Sequence, residues 1–164
     1  MKINTRRNIR NYTSRTLELD PVLESLTRQY CADNCPRGKN GCCTSHHYKN
    51  EILEEMLVLQ EREAKKNKWE KGKGGKCKYH NPTGCTLKAY KPPICIGHLC
   101  NDLEDFMEKE FGNKGKQFTE AMDKASAGSL DLGQKKANLL FAYLDRAIET
   151  GRKLVEVKKK NGNN

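Results

Sequence analysis

The chain has 164 residues, enough for about one domain, of which 35% are hydrophobic and 32% charged, with a mean hydropathy of −0.90. That supply of apolar side chains is thin, and it excludes a run long enough to cross a membrane. The formal charge of +10 excludes an acidic, solvating chain and leaves polyanionic partners open.

Residues 1–17 carry positive charge with no apolar stretch behind them, which is not the pattern of a secretory signal. Their Arg, Ser and Thr content resembles, faintly, an organelle transit peptide, but the reading carried forward is a flexible basic arm in a cytoplasmic protein. Asp20-Pro21 predicts a helix start, with Asp as N-cap and Pro at the first helical position. Val22, Leu23, Leu26 and Tyr30 then recur at helical spacing and deliver Cys31 at the helix end.

Residues 31–45 form a first cysteine loop, with turn chemistry over 35–41. A second helix is predicted from Asn50 to about Asn67, with Ile52, Leu53, Met56, Leu57 and Gln60 on one face and a favourable Glu61–Lys65 pair. Residues 71–76 read as a basic, glycine-rich linker without the spacing of a phosphate-binding loop. Residues 77–100, broken by Pro82, Gly84, Pro92, Pro93 and Gly97, are expected to be irregular apart from short strands or turns. A third helix is predicted over Asp102–Phe111 through Leu103, Phe106 and Met107, and a weaker segment over 117–126. The last helix, about 131–158, has the clearest period, through Leu140, Phe141, Leu144, Ala147 and Ile148. Its closing lysines suit the helix dipole, and residues 159–164 read as a disordered tail.

The expected fold class is therefore mainly α: a small helical domain with two irregular cysteine-rich loops organised around metal. Residues 18–158 would form one domain, with a metal-binding core at 31–100 and a helical C-terminal part at 101–158.

The eight cysteines fall into two groups, Cys31, Cys35, Cys42 and Cys43, then Cys77, Cys85, Cys95 and Cys100. Structural zinc sites and common iron–sulfur clusters each take four thiolates. In a reducing cytosol clustered cysteines point to metal or catalysis more than to disulfides. A metal would also staple a domain short of core. Thiolate selects zinc, copper(I) or iron–sulfur. Adjacent side chains of an extended segment point to opposite sides, so Cys42 and Cys43 more readily serve two sites, or two irons of one cluster, than one ion. The spacing is neither that of a zinc ribbon nor that of a ferredoxin, so the residues leave zinc and iron–sulfur both open. His46, His47, His80 and His98 are candidate substitutes for one thiolate. Two four-thiolate sites at about −2 each would reduce the net charge to roughly +6. The plainer readings are structural disulfides, one or two buried thiols, and a metal whose only role is to replace a core.

The wording of residues 85–95, CTLKAYKPPIC, preceded by Cys77 and by Gly41-Cys42-Cys43, resembles the YkgJ-type cysteine-cluster family, described as zinc- or iron-chelating with a CxxCxxCC-like motif. Cys85, Pro92 and Cys95 fall in register with that family's second motif, and the likeness covers about residues 31–100. The first motif here is a looser C-x3-C-x6-CC. Lys91 stands where the family usually has Arg, Lys88 where it usually has Tyr, and Tyr90 is displaced by two positions. The resemblance implies a metal site built on the eight cysteines, with a [4Fe–4S] cluster favoured over zinc. It also implies an accessory role in electron transfer or in a protein- or RNA-modifying system, since its better-understood relatives include a flagellin lysine methylase.

The function expected is thus metal binding with an unidentified protein partner and no membrane partner. The alternative is a zinc-stapled adaptor that binds nucleic acid or an acidic protein through basic stretches such as 65–76 and 153–160. No catalytic residue is assigned. A nucleophilic cysteine would need a neighbouring His or cation, for which His98 and the lysines are unspecific candidates.

Overall fold

The computed structural model describes residues 3–34, 54–66, 68, 79–81, 84, 85, 87, 89–128 and 133–161. In chain order the elements are α1 (Ile3–Asn34), α2 (Glu54–Lys66), β1 (His80–Asn81), β2 (Gly84–Cys85), α3 (Pro93–Gly97), α4 (Asn101–Phe111), α5 (Asn113–Ser126) and α6 (Gly133–Asn161). The protein is mainly helical, as its periodicities predict.

The basic arm expected at 1–17 is corrected: α1 begins at Ile3 and runs through it. Ile9, Tyr12 and Leu19 extend the buried stripe of Val22 and Leu26 backwards, so the helix has an apolar face to bury from its second turn. Asp20-Pro21 does not start the helix. Pro21 lies inside it, on the exposed side, where water can take the Leu17 carbonyl that loses its partner. Asp20 is not a cap either. Its carboxylate accepts two hydrogen bonds from Lys91 Nζ, at 2.7 and 2.8 Å.

The long helices α1 and α6 lie side by side and parallel. Arg15 pairs with Asp145, Glu18 with Arg152, and the Ser25 carbonyl accepts from Lys158, so the two chains advance together. Arg15 makes a two-pronged bond to Asp145, at 2.8 and 3.0 Å, and its guanidinium lies 4.9 Å from the centre of the Phe141 ring. Exposed ion pairs of this kind contribute about 0–1 kcal/mol each, whereas burying one Leu or Phe contributes about 1.5–3 kcal/mol. The apolar seam thus supplies the cohesion and the ion pairs fix the register.

α6 packs on α5, α5 packs on α4 and α3, and the shared core takes Met107, Phe118, Met122, Leu140, Leu144 and Leu154. The weak segment expected at 117–126 is a full helix from Asn113. Gly112 has a φ of +59° between α4 and α5, a backbone that glycine adopts without strain. The helix predicted over 102–111 is found at Asn101–Phe111, and the last helix extends to Asn161.

Of the helix predicted over 50–67, residues 54–66 are described and are helical, and the rest of the range, with Ile52 and Leu53, lies outside the described residues. α2 places Glu54 and Glu55 at its positive end and Lys65 and Lys66 at its negative end. Met56 enters the main core. Leu57 and Ala64 pack on a small second cluster of Tyr79 and Leu87.

Candidate metal centre

The four cysteines of each group are spread unevenly over the described residues. Cys35, Cys42, Cys43 and Cys77, with His46 and His47, lie outside them. Cys31 sits exposed in the last turn of α1. Cys85 is in β2, its backbone in register with His80 of β1. Cys95 is exposed on α3, and His98 caps the end of that helix. Cys100, half-buried, is the N-cap of α4. Among the described residues no group of three or more His, Cys, Asp or Glu is arranged to hold an ion.

The segment 77–100 is more regular than its prolines and glycines suggest. Pro92 is the N-cap of α3 and Pro93 its first residue, a position that lacks nothing by having no N–H. Gly97 lets α3 approach α5 closely: a Cβ there would stand 2.5 Å from the Met122 carbonyl oxygen.

Three side chains from other helices hold residues 90 and 91. Tyr12 donates to the Lys91 carbonyl at 2.6 Å, Gln60 of α2 donates to the Tyr90 carbonyl, and Lys91 reaches Asp20. Tyr90 takes a φ of +59°, uncommon for a non-glycine residue, at the point where these bonds converge. Lys91 thus anchors the second cysteine segment to α1. Burial pushes the Tyr12 hydroxyl well above its ordinary range, helped by the charges of Cys95 and Asp20.

A second tie joins the C-terminal end of α1 to the start of α4. Tyr30 stacks on Phe106 of α4, with ring centres 4.3 Å apart, and its hydroxyl donates to the Asp102 carbonyl at 2.9 Å. Cys31 follows Tyr30 directly, and Cys100 precedes Asp102 by two residues. Desolvation first, then Asp102, Cys100 and Cys31, raise the Tyr30 hydroxyl. The chain positions next to Cys31 and Cys100, at opposite ends of the 31–100 segment, thereby meet at one contact. Tyr30 was legible as a helix-face residue, but not as this tie. Tyr12 falls in what reads as an arm, and Gln60 is legible as part of the inward face of α2 but not as a donor to residue 90.

The donor chemistry of the Cys31–Cys100 end suits a soft metal: two thiols, with Cys35, Cys42 and Cys43 within twelve positions of Cys31 in the sequence. No protein-family model matches the chain, and no curated protein or solved structure is significantly similar to it.

Proposed function

We propose that this chain is a metal-binding protein of a reducing compartment, the cytoplasm, whose clustered cysteines hold an iron–sulfur cluster, [4Fe–4S] in preference to zinc. Its ligands would be drawn from Cys31, Cys35, Cys42, Cys43, Cys77, Cys85, Cys95 and Cys100. The observation that carries the reading is the Tyr30 tie, because it sets the chain beside Cys31 against the chain two residues past Cys100. The resemblance of residues 31–100 to the YkgJ-type cysteine-cluster family supports iron over zinc. When bound, the cluster would supply electron transfer or a cluster-dependent binding surface to a partner enzyme. The chain's own part is to position thiolates: the Lys91–Asp20 and Tyr12 anchors hold the segment from which Cys95 and Cys100 emerge.

The test is anaerobic purification, then an absorption spectrum with iron, zinc and acid-labile sulfide analysis on one sample. Brown protein with matched iron and sulfide is the expected result. Colourless protein with stoichiometric zinc replaces the cluster by a structural staple. Protein that retains neither metal overturns the proposal.

A further inference from the structure

Because α1 and α6 are parallel, their N-terminal ends lie at the same end of the molecule, away from the Tyr30 tie. Among the described residues that end is basic. Arg6, Arg7 and Arg10 of α1 and Lys135 and Lys136 of α6 are all exposed. None of the five has a carboxylate partner among the described residues, whereas Arg15, Arg28, Arg152 and Lys153 all do. The sequence has no acidic residue before Glu18, and α6 has none before Asp145. Asp131, ahead of α6, lies outside the described residues.

The contrast with the rest of the surface is the informative point. Further along the same helix pair cations and carboxylates alternate and neutralise one another, at Arg15–Asp145, Glu18–Arg152 and Glu149–Lys153. At the N-terminal end the alternation stops. Packed helices stand about 8–10 Å apart, so the two sets of cations belong to one surface. Neither helix has an acidic residue in its first turn, so their positive ends add to the same field.

We infer that the N-terminal ends of α1 and α6 form a docking surface for the phosphodiester backbone of a nucleic acid, independent of sequence. Charge complementarity chooses the occupant, and the side chains narrow it. Three of the five cations are arginines, whose planar fork matches phosphate oxygens two at a time. The exposed amides Gln134 and Asn138, 2.8 Å apart, add neutral donors beside Lys135. A membrane surface would require apolar side chains interleaved with the cations. Among the described side chains, Leu139 is the one large exposed apolar residue in the first two turns of α6, and α1 shows none before Leu17. The inference does not rest on the metal reading: it uses no cysteine, and loss of metal would leave these cations unchanged.

The experiment uses the full chain and a fluorescein-labelled 20-nucleotide single-stranded RNA of mixed sequence, read by anisotropy over a salt series. The quadruple variant R6Q/R10Q/K135Q/K136Q is compared with K65Q/K66Q/K159Q/K160Q, which removes the same charge elsewhere. Expected is a loss of affinity of about tenfold or more in the first, under about threefold in the second, and a salt slope smaller by about 2–3 in the first. Equal losses in both variants, or no RNA binding by the parent chain, overturn the inference. So does tight binding to phosphatidylserine vesicles without RNA binding. A second readout uses the unaltered protein: lysine acetylation mapped by mass spectrometry, with RNA protecting Lys135 and Lys136 and sparing Lys159 and Lys160. Protection of the latter pair alone also overturns it. Running both readouts on metal-loaded and chelated protein separates this surface from the cysteine chemistry.

Discussion

The Tyr12 hydroxyl donates to the backbone carbonyl of Lys91 at 2.6 Å across 79 positions of sequence. Tyr12 is fully buried, and the bond it makes is partly so. Removing the hydroxyl by Tyr12→Phe leaves that acceptor unpaired at a cost of about 1–3 kcal/mol. For a chain of this size that lowers the melting temperature by about 2–10 °C. Thermal unfolding followed by circular dichroism measures it, and an unchanged transition would remove Tyr12 as an anchor.

The same phenol makes stability sensitive to alkali. Its pKa is raised in the folded protein above the ordinary 10.0, so its contribution is complete below pH 10 and is lost as pH climbs through the folded value. Urea midpoints measured from pH 8 to 11 should fall at the alkaline end for the parent protein. They should fall less steeply for Tyr12→Phe. Parallel curves for the two proteins would contradict this assignment.

Lys91 and Asp20 are both mostly buried, with side-chain exposures of 15% and 27%. Removing one partner strands the other charge, while removing both does not. Lys91→Met and Asp20→Asn should each destabilise by about 1–3 kcal/mol, and the double variant by clearly less than their sum. A double-mutant cycle from denaturant titrations reads the coupling. Strict additivity would mean that the pair does not interact.

Gly115 separates two opposing effects. In a helix interior, glycine to alanine gains about 1 kcal/mol from propensity alone. Here a Cβ would fall 1.9 Å from the Met107 carbonyl oxygen, which is backbone and cannot rotate aside. Forcing α5 off α4 costs about 1–3 kcal/mol or more, so Gly115→Ala is expected to destabilise. A gain in stability in equilibrium unfolding would show that the helices separate easily.

If Cys31 and Cys100 are ligands, replacing either with Ser should lower metal per chain while the helical circular dichroism is kept. Ser14→Ala, an exposed change on α1, should leave the metal content alone. Metal analysis after identical purification decides it, and full metal content in both cysteine variants would exclude them as ligands.

The helices were legible where an apolar stripe was dense. Leu140, Phe141, Leu144, Ala147 and Ile148 announce α6 without help from the rest of the chain. The stripe through Ile9 and Tyr12 is diluted by arginines and threonines, and Asp20-Pro21 imitates a start signal so well that the helix behind it reads as an arm. Local rules assign Asp20 to capping; only the fold reveals that Lys91, far along the chain, claims the carboxylate first. The role of Gly115 leaves no local trace either, since its partner carbonyl is visible only once α4 is folded against it. At the cysteines, composition gives the donor type, and the pairing of Tyr30 with Phe106 that ties the end of α1 to α4 is tertiary and leaves no local trace.

The parallel pairing of α1 with α6 also has a consequence for the growing polypeptide. Residues 35–132 separate the two helices. At about 5–20 residues per second, roughly 5–20 s of translation pass between the completion of α1 and the arrival of its main partner. An isolated helix forms within about a microsecond, so on the ribosome α1 waits with Ile9, Leu19, Val22 and Leu26 unburied by that partner. For those seconds the nascent chain presents the kind of apolar helix face that holdase chaperones capture, and its arginines help to keep it in solution meanwhile.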